Sequence, residues 1–394
     1  MTTELSSPLV FLIAGENSGD ALGASLMGAL RDKTHDKVRF AGVGGPEMTA
    51  EGLSSLFPMQ DLAVMGVFEV IPKLPTLLRR MGETADEIER LKPDVLITID
   101  APDFCFRVIK KIKARSFSIP IVHYVAPSVW AWRSGRAAKV AKFLDHLLCL
   151  LPFEPPYFHA VGLDATFVGH PVVTRQIDEA GRAAFRSRHA IGAETKVMCV
   201  LPGSRSGEVE RLLEVFGETM QRLYTHIPDL VVVIPAVAHL HGKIAQTVSS
   251  WAVPTHVVGQ DEKAEAYVAS DAALAASGTV TLELAMAGVV HVIGYRVNAL
   301  TAFLGRLLIK TPYANLINIC LHREAVPEFI QDQCTADNLA QELERLLTDE
   351  RARTAQRHSA IEALTQLGLG GPPPGDRAAD VVLSVLHQAL QEEN

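Results

Sequence analysis

Lys196-Val197-Met198-Cys199-Val200-Leu201-Pro202-Gly203-Ser204-Arg205-Ser206-Gly207-Glu208 decides the architecture. The run 196–201 is almost wholly apolar, which reads as a strand buried on both faces. Pro202 and Gly203 end it. From Val209 to Phe216 the apolar residues recur at helical spacing. A buried strand that leaves through a glycine-and-serine turn into a helix is the repeating unit of parallel α/β folds. Backbone N–H groups at the helix start, with Arg205 beside them, make a site for phosphate. Alone, this names a ligand class and no reaction.

The same alternation runs along the chain. Strands are predicted at Leu9–Ala14, Arg39–Val43, Val95–Asp100, Ile119–Val125, Leu147–Leu151 and Thr166–Val168. A second set follows at Val197–Leu201, Leu230–Pro235, Thr255–Val258, Ala272–Ala275 and Val289–Gly294. A break near Gly169–Arg175 separates them. The expected fold class is α/β, with two Rossmann-like doubly wound domains, residues 1–172 and 173–370, facing a cleft. Gly368–Gly375, rich in glycine and proline, cannot be helix. Residues 371–394 are left as a closing helix, from about Asp376 to Gln391, that can cross back to the first domain.

Composition sets the outer limits. The 394 residues are 48% hydrophobic and 21% charged, with a formal charge of −8, which argues against a nucleic-acid partner. Five cysteines are scattered without metal-ligand spacing, and several sit in apolar runs, as expected of reduced thiols in the cytoplasm. The opening residues Met1–Leu5 lack a basic signal-peptide start. No stretch approaches the roughly 20 apolar residues of a membrane span. Two segments could instead lie in a lipid interface or pack as ordinary amphipathic helices: Leu62–Arg80 and Leu300–Lys310.

Four segments can carry chemistry, and each also has a structural reading. Gly15-Glu16-Asn17-Ser18-Gly19-Asp20 follows the first strand, with Ser18 the expected N-cap; it suits close approach to a ligand or a turn that merely packs. Asp100-Ala101-Pro102-Asp103 puts two carboxylates at a strand end. There Asp100 can act as a general base, or either residue can cap a helix, Asp103 fitting that better. Trp130, Trp132, Arg133 and Arg136 suit a sugar or phosphate, or core packing under an arginine lid. Ser277-Gly278-Thr279 repeats the strand-turn-helix logic, and Glu283 one turn on can accept from a ribose diol. Two such loops in one half-chain favour a nucleotide diphosphate. His123, His146 and His291 read as core histidines, and His170 as structural.

Taken together, the segments resemble the lipid-A-disaccharide synthase family, glycosyltransferases of GT-B architecture (family 19). The resemblance rests on Ala14-Gly15-Glu16, Ser18-Gly19-Asp20, Gly42-Val43-Gly44-Gly45-Pro46, Ala63-Val64-Met65-Gly66 and Ile99–Phe104. It continues through Pro127–Arg133, Leu151–Glu154, Leu201–Arg205, Ser277-Gly278-Thr279 with Leu282-Glu283, Gly294-Tyr295-Arg296 and Asn318. It implies an inverting transfer that joins UDP-2,3-diacylglucosamine to 2,3-diacylglucosamine 1-phosphate and releases UDP. It further implies Asp100 as catalytic base. Substrate binding falls to Glu16, Ser18, Arg205, Glu208, Ser277, Gly278, Thr279, Glu283 and Asn318, the last in Tyr313-Ala314-Asn315-Leu316-Ile317-Asn318. No cofactor and no metal are implied. The implied protein is a homodimer in the cytoplasm, peripheral on the inner membrane. Three residues depart from the pattern: Cys105 for asparagine, Ala126 for serine and Ile317 for proline. The first two alter polarity near the acceptor, and the third frees the backbone ahead of Asn318. Rival readings are another UDP-sugar enzyme on this fold, such as an epimerase, and a non-catalytic lipid- or nucleotide-binding scaffold. A nicotinamide dehydrogenase is disfavoured because neither first-half glycine loop is GxGxxG.

Overall fold

A computed structural model describes residues 7–62, 67–115, 117–132, 135–178, 180–298 and 311–392, with side chains for all of these but 67–72 and 392. The chain divides into two compact units, Met1–Pro171 with Gly370–Asn394, and Val172–Leu369.

The first unit runs β1 (Leu9–Ala14), α1 (Asn17–Lys33), β2 (Arg39–Val43), α2 (Pro46–Ala50) and α3 (Val67–Leu91). It continues with β3 (Val95–Ile99), α4 (Pro102–Ala114), β4 (Ile121–Tyr124), α5 (Arg136–Val140), β5 (His146–Cys149), α6 (Pro155–His159) and β6 (Asp164–Phe167). Its strands form one parallel six-stranded sheet in the order β2-β1-β3-β4-β5-β6. Alternation within β1 shows why the run is apolar throughout. Val10, Leu12 and Ala14 share a buried cluster with Leu22, Leu26 and Leu30 of α1, while Phe11 and Ile13 join Phe104, Val108 and Ile109 of α4. Both faces are covered, so no position along the strand can be polar without a partner.

The second unit holds α7 (Gly181–Arg188), β7 (Lys196–Leu201), α8 (Ser206–His226), β8 (Leu230–Pro235), α9 (Ala238–Val248) and β9 (Thr255–Val258). Then come α10 (Lys263–Ala269), β10 (Ala272–Ala275), α11 (Val280–Met286), β11 (His291–Tyr295), α12 (Leu316–Leu321), β12 (Glu328–Ile330), α13 (Ala336–Thr348) and α14 (Glu350–Gln366). Its sheet, also parallel and six-stranded, has the order β12-β11-β10-β7-β8-β9. Met198 and Val200 face α8 and α13 residues in one cluster, and Val197 joins Phe185 and Ala266 in the other.

The α/β alternation is thus as predicted, with four differences. The edge strand β12 was not anticipated, because three residues after a proline carry no readable period. The last helix, α15 (Pro374–Glu392), starts inside the segment expected to be helix-free. Proline is favoured in a first helical turn, and at Gly375 a Cβ would sit 2.4 Å from Ser25 Oγ of α1, so this glycine serves close packing. Ala378, Val382 and Leu386 of α15 lie in the α1 cluster of the first unit. Finally, Ser18 is not an N-cap: α1 begins at Asn17 with Glu16 at the cap position, and Ser18 is exposed in the first turn. Asp103 likewise sits within the first turn of α4, whose cap position is Ala101.

His123 and His291 are buried, and burial lowers them to about 3 and about 4, so both are neutral in the core. His123 Nδ1 lies 2.8 Å from Thr98 Oγ1, and half-buried His146 lies 2.9 Å from Thr166 Oγ1.

Candidate functional site

In the first sheet the strand order reverses between β1 and β3, where Ala14 pairs in register with Ile99. Open parallel sheets bind ligands beyond the carboxyl ends of the strands at such a point. The loops that leave there are Gly15-Glu16 and Asp100-Ala101. Asp100 and Ala101 both have left-handed backbones, φ 50° and 41°, and Val125 after β4 has φ 84°. Alanine and valine rarely adopt this region, and each such residue costs on the order of 1 kcal/mol or more. The turn is held by Asp100 N–H donating to Tyr124 O at 2.9 Å and by the Phe104 and Cys105 N–H groups donating to Ala101 O. Gly15 makes room for it: a Cβ there would lie 2.6 Å from Ala101 Cβ. Packing alone therefore explains Gly15. Asp100 is half-buried, and burial raises its carboxyl above the usual range against a backbone hydrogen bond from Ala101. Glu16 and Ser18 are exposed beside this turn. Cys105 and Ala126 are both buried, so these departures alter packing under the loop. Burial pushes the Cys105 thiol up, with the Asp100 charge adding to it.

Asp20 belongs to a motif whose role was not legible in the sequence. Its carboxylate is 2% exposed and accepts the N–H groups of Gly45 at 2.7 Å, Glu47 at 2.9 Å and Met48 at 3.1 Å. It thus caps α2 from α1 and ties Ser18-Gly19-Asp20 to Gly44-Gly45-Pro46. Asp20→Ala strands three backbone donors and should cost about 2 to 4 kcal/mol, read as a lower urea midpoint at unchanged slope. An unchanged midpoint would show that these bonds are dispensable.

Beyond β5, Glu154 is 3% exposed and accepts Trp130 Nε1–H at 3.2 Å and Leu151 N–H at 3.0 Å. The half-buried Trp130 ring packs edge-on against Phe153, centroids 5.2 Å apart. Trp130 is therefore anchored by a carboxylate that sequence reading did not single out. Burial pushes Glu154 up to about 7, against the two N–H bonds that favour its charge. Folded protein holds this proton more tightly than unfolded chain does. The associated stability is full below the ordinary carboxylate pKa and is lost as pH rises through about 7. The melting temperature of Glu154→Gln should therefore improve relative to the parent between about pH 5 and about pH 8. A constant difference in calorimetry across that range would refute the buried acid.

In the second sheet the order reverses between β7 and β10, with Leu201 paired to Ala275. Pro202–Arg205 and Ala276–Thr279 leave side by side at that point, which is why two separate sequence loops become one candidate site. Helix α8 starts at Ser206 with Arg205 in the cap position, and no cap side chain occupies its first-turn N–H groups. The Arg205 side chain is 68% exposed, with Nη1 3.5 Å from Glu208 Oε1. Glu208 folds back over Gly203, where φ is 115° and a Cβ would lie 2.6 Å from Glu208 Oε2. Tyr295 OH donates to Glu208 Oε1 at 3.2 Å. Gly278 and Thr279 are exposed, and Ser277 OH donates to Ala314 O at 2.9 Å.

Glu283 is 7% exposed at the wall of a 230 Å³ cavity that Arg175, Gln260, Lys263 and Tyr267 also line. Its oxygens already receive Arg175 Nη1 at 2.8 Å, Lys263 Nζ at 2.6 Å and Tyr267 OH at 3.2 Å. Asn318 stands apart from the exposed loops. It is fully buried, donates to Val326 O and Glu328 Oε1 at 2.7 Å, and accepts from Ala325 N at 2.8 Å and Val326 N at 2.9 Å. With these internal hydrogen bonds Asn318 orders its loop. Ile317 N–H donates to Asn315 Oδ1 at 2.9 Å, a bond that proline could not make.

The family profile for lipid-A-disaccharide synthetase matches residues 10–369. The chain belongs to this family. As a lipid-A-disaccharide synthetase family member it is a glycosyltransferase of lipid A biosynthesis. A lipid-A-disaccharide synthase of Rhodospirillum centenum is 52% identical over 379 residues, 96% of this chain and 94% of that protein. Another, of Paramagnetospirillum magneticum, is 48% identical over 388 residues, 98% of this chain and 100% of that protein. Among solved structures, UDP-GlcNAc 2-epimerase from Neisseria meningitidis aligns at TM-score 0.61 and 11% identity, over 96% of this chain and 99% of that one. MurG of Acinetobacter baumannii aligns at TM-score 0.55 and 14% identity, over 96% and 99%. At such identities the likeness is of fold, the GT-B architecture of glycosyltransferases and epimerases.

Ala63–Gly66, Arg133 and Leu300–Lys310 lie outside the described residues. Among the described residues no helix is long and apolar enough to cross a membrane.

Proposed function

We propose that this synthetase joins UDP-2,3-diacylglucosamine to 2,3-diacylglucosamine 1-phosphate with inversion, releasing UDP. The observation that carries the donor half is the pair of loops, Pro202–Arg205 and Ser277–Thr279, beyond the neighbouring strands β7 and β10. In this reading Arg205 and the α8 start hold the diphosphate, Glu208 and its Tyr295 partner keep the Gly203 turn in shape, and Glu283 lines the nucleoside side. Asp100, with Glu16 and Ser18 beside it, serves the acceptor. The carboxylate takes the proton of the acceptor 6-hydroxyl as that oxygen bonds to the anomeric carbon. The bond from that carbon to the UDP oxygen breaks, and its electron pair leaves with UDP, whose growing charge Arg205 meets.

Acyl chains need apolar surface. Leu74 and Leu78, 40% and 53% exposed at i,i+4 spacing on α3, support contact with the inner-membrane surface from the cytoplasmic side. The family reading also brings a homodimer, which sedimentation at assay concentrations tests: a single-chain mass would refute it. For the reaction, defined UDP-diacylglucosamine and diacylglucosamine 1-phosphate should give a β-1′,6-linked disaccharide 1-phosphate and UDP in equal amounts. A donor altered or epimerised without consumption of the acceptor would overturn the reading.

A further inference from the structure

Glu328 belongs to none of the segments that mark the site, yet it lies under the donor loop. It sits in edge strand β12, where Ile293 of β11 pairs with it in register. Its Oε2 accepts Ala314 N–H at 2.8 Å, and its Oε1 accepts Asn315 N–H at 2.8 Å and Asn318 Nδ2–H at 2.7 Å. The residues so gripped reach the Ser277 turn at two points. Ala314 O receives the Ser277 hydroxyl at 2.9 Å. Asn315 Oδ1 lies 3.1 Å from Thr281 Oγ1, which is itself 2.9 Å from Gly278 O. A carboxylate that accepts three N–H donors holds them more firmly than a neutral acceptor would.

We propose that Glu328 is a positioning residue for donor binding: through Ala314 and Asn315 it sets the Ser277-Gly278-Thr279 loop that meets the diphosphate. This rests on the donor-site reading above. Without the carboxylate, three donors lose their acceptor and the loop loses its backing, while Arg205 and the α8 start are untouched.

The test is calorimetric binding of UDP to the full chain. Glu328→Gln keeps an oxygen for Asn315 and Asn318 but turns an NH2 towards Ala314 N–H. It should weaken UDP about tenfold, the effect of losing one charge-assisted hydrogen bond. Glu328→Asp, which keeps the charge and shortens its reach, should also weaken UDP and serves if the glutamine variant does not fold. Because one of Glu328's two routes runs through Ala314 to the Ser277 hydroxyl, adding Ser277→Ala to either variant should weaken UDP less than Ser277→Ala does alone, whereas independent sites would add. Parent-like affinity in the folded variants, or additivity with Ser277→Ala, would overturn the proposal. If Arg205→Ala abolishes UDP binding while the Glu328 variants retain it, only the positioning role fails. If the parent chain itself does not bind UDP, the donor-site reading fails.

Discussion

Asp100→Asn is expected to lose roughly 10²- to 10⁴-fold in kcat, the usual worth of a positioned general base, with UDP affinity unchanged. Asp100→Ala should lose as much. The expectation comes from placement and backbone together: the carboxylate ends β3 at the strand-order reversal, on two consecutive left-handed residues. A turn of that kind persists only where its surroundings enforce it. One pH effect separates a base from a merely structural aspartate. A base works deprotonated, and burial raises this carboxyl. The acid limb of kcat/KM should therefore fall at a pH above the ordinary carboxylate range. The same raised pKa means that the folded protein binds the proton more tightly than the unfolded chain, so stability from this group is present at low pH and lost as pH rises. Asp100→Asn should thus be more stable than the parent at neutral pH while nearly inactive, an exchange of stability for activity. Near-parental turnover in either folded variant would remove Asp100 from the mechanism.

Arg205→Ala is expected to lower kcat/KM for the UDP donor by roughly 10²- to 10³-fold, as when one preorganised donor to a developing charge is removed. The side chain is 68% exposed and buries little of its own, so the fold should not suffer. Arg205→Lys keeps a charge but lacks the planar fork for two phosphate oxygens, and should recover only part of the loss. Glu208 gives an internal control. It is 3.5 Å from Arg205 and accepts from Tyr295 OH, so Tyr295→Phe should change donor KM far less than Arg205→Ala does. Equal effects from the two would show that the Gly203 turn held by the Glu208–Tyr295 pair matters as much to donor binding as Arg205 does.

Legibility followed the range of the forces involved. The strand-turn-helix at Lys196–Phe216, the apolar runs of both sheets and the loops around Asp100, Arg205 and Ser277 were readable because each is written in neighbouring residues. Ser18 lies within the first turn of α1 and not at its cap; a hydroxyl near a helix start looks alike in sequence in either place. Asp20, Glu154 and Glu328 were not legible as site supports, since an acidic residue shows its charge in sequence but not its donors. Those donors lie on other elements: Gly45 and Met48, Trp130, Ala314 and Asn318.

By itself the sequence determined the α/β class, the two sets of strands and the placing of phosphate-type loops at strand ends, because periodicity and turn chemistry act locally. Only the tertiary structure decided which loops become neighbours. Parallel pairing set β7 beside β10 and β1 beside β3 across long crossovers, the closing helix α15 joined the first unit, and Asn318 was turned inward onto Glu328. Such contacts are chosen by burial and by the need to satisfy every buried N–H and C=O, and those demands leave no local pattern to read.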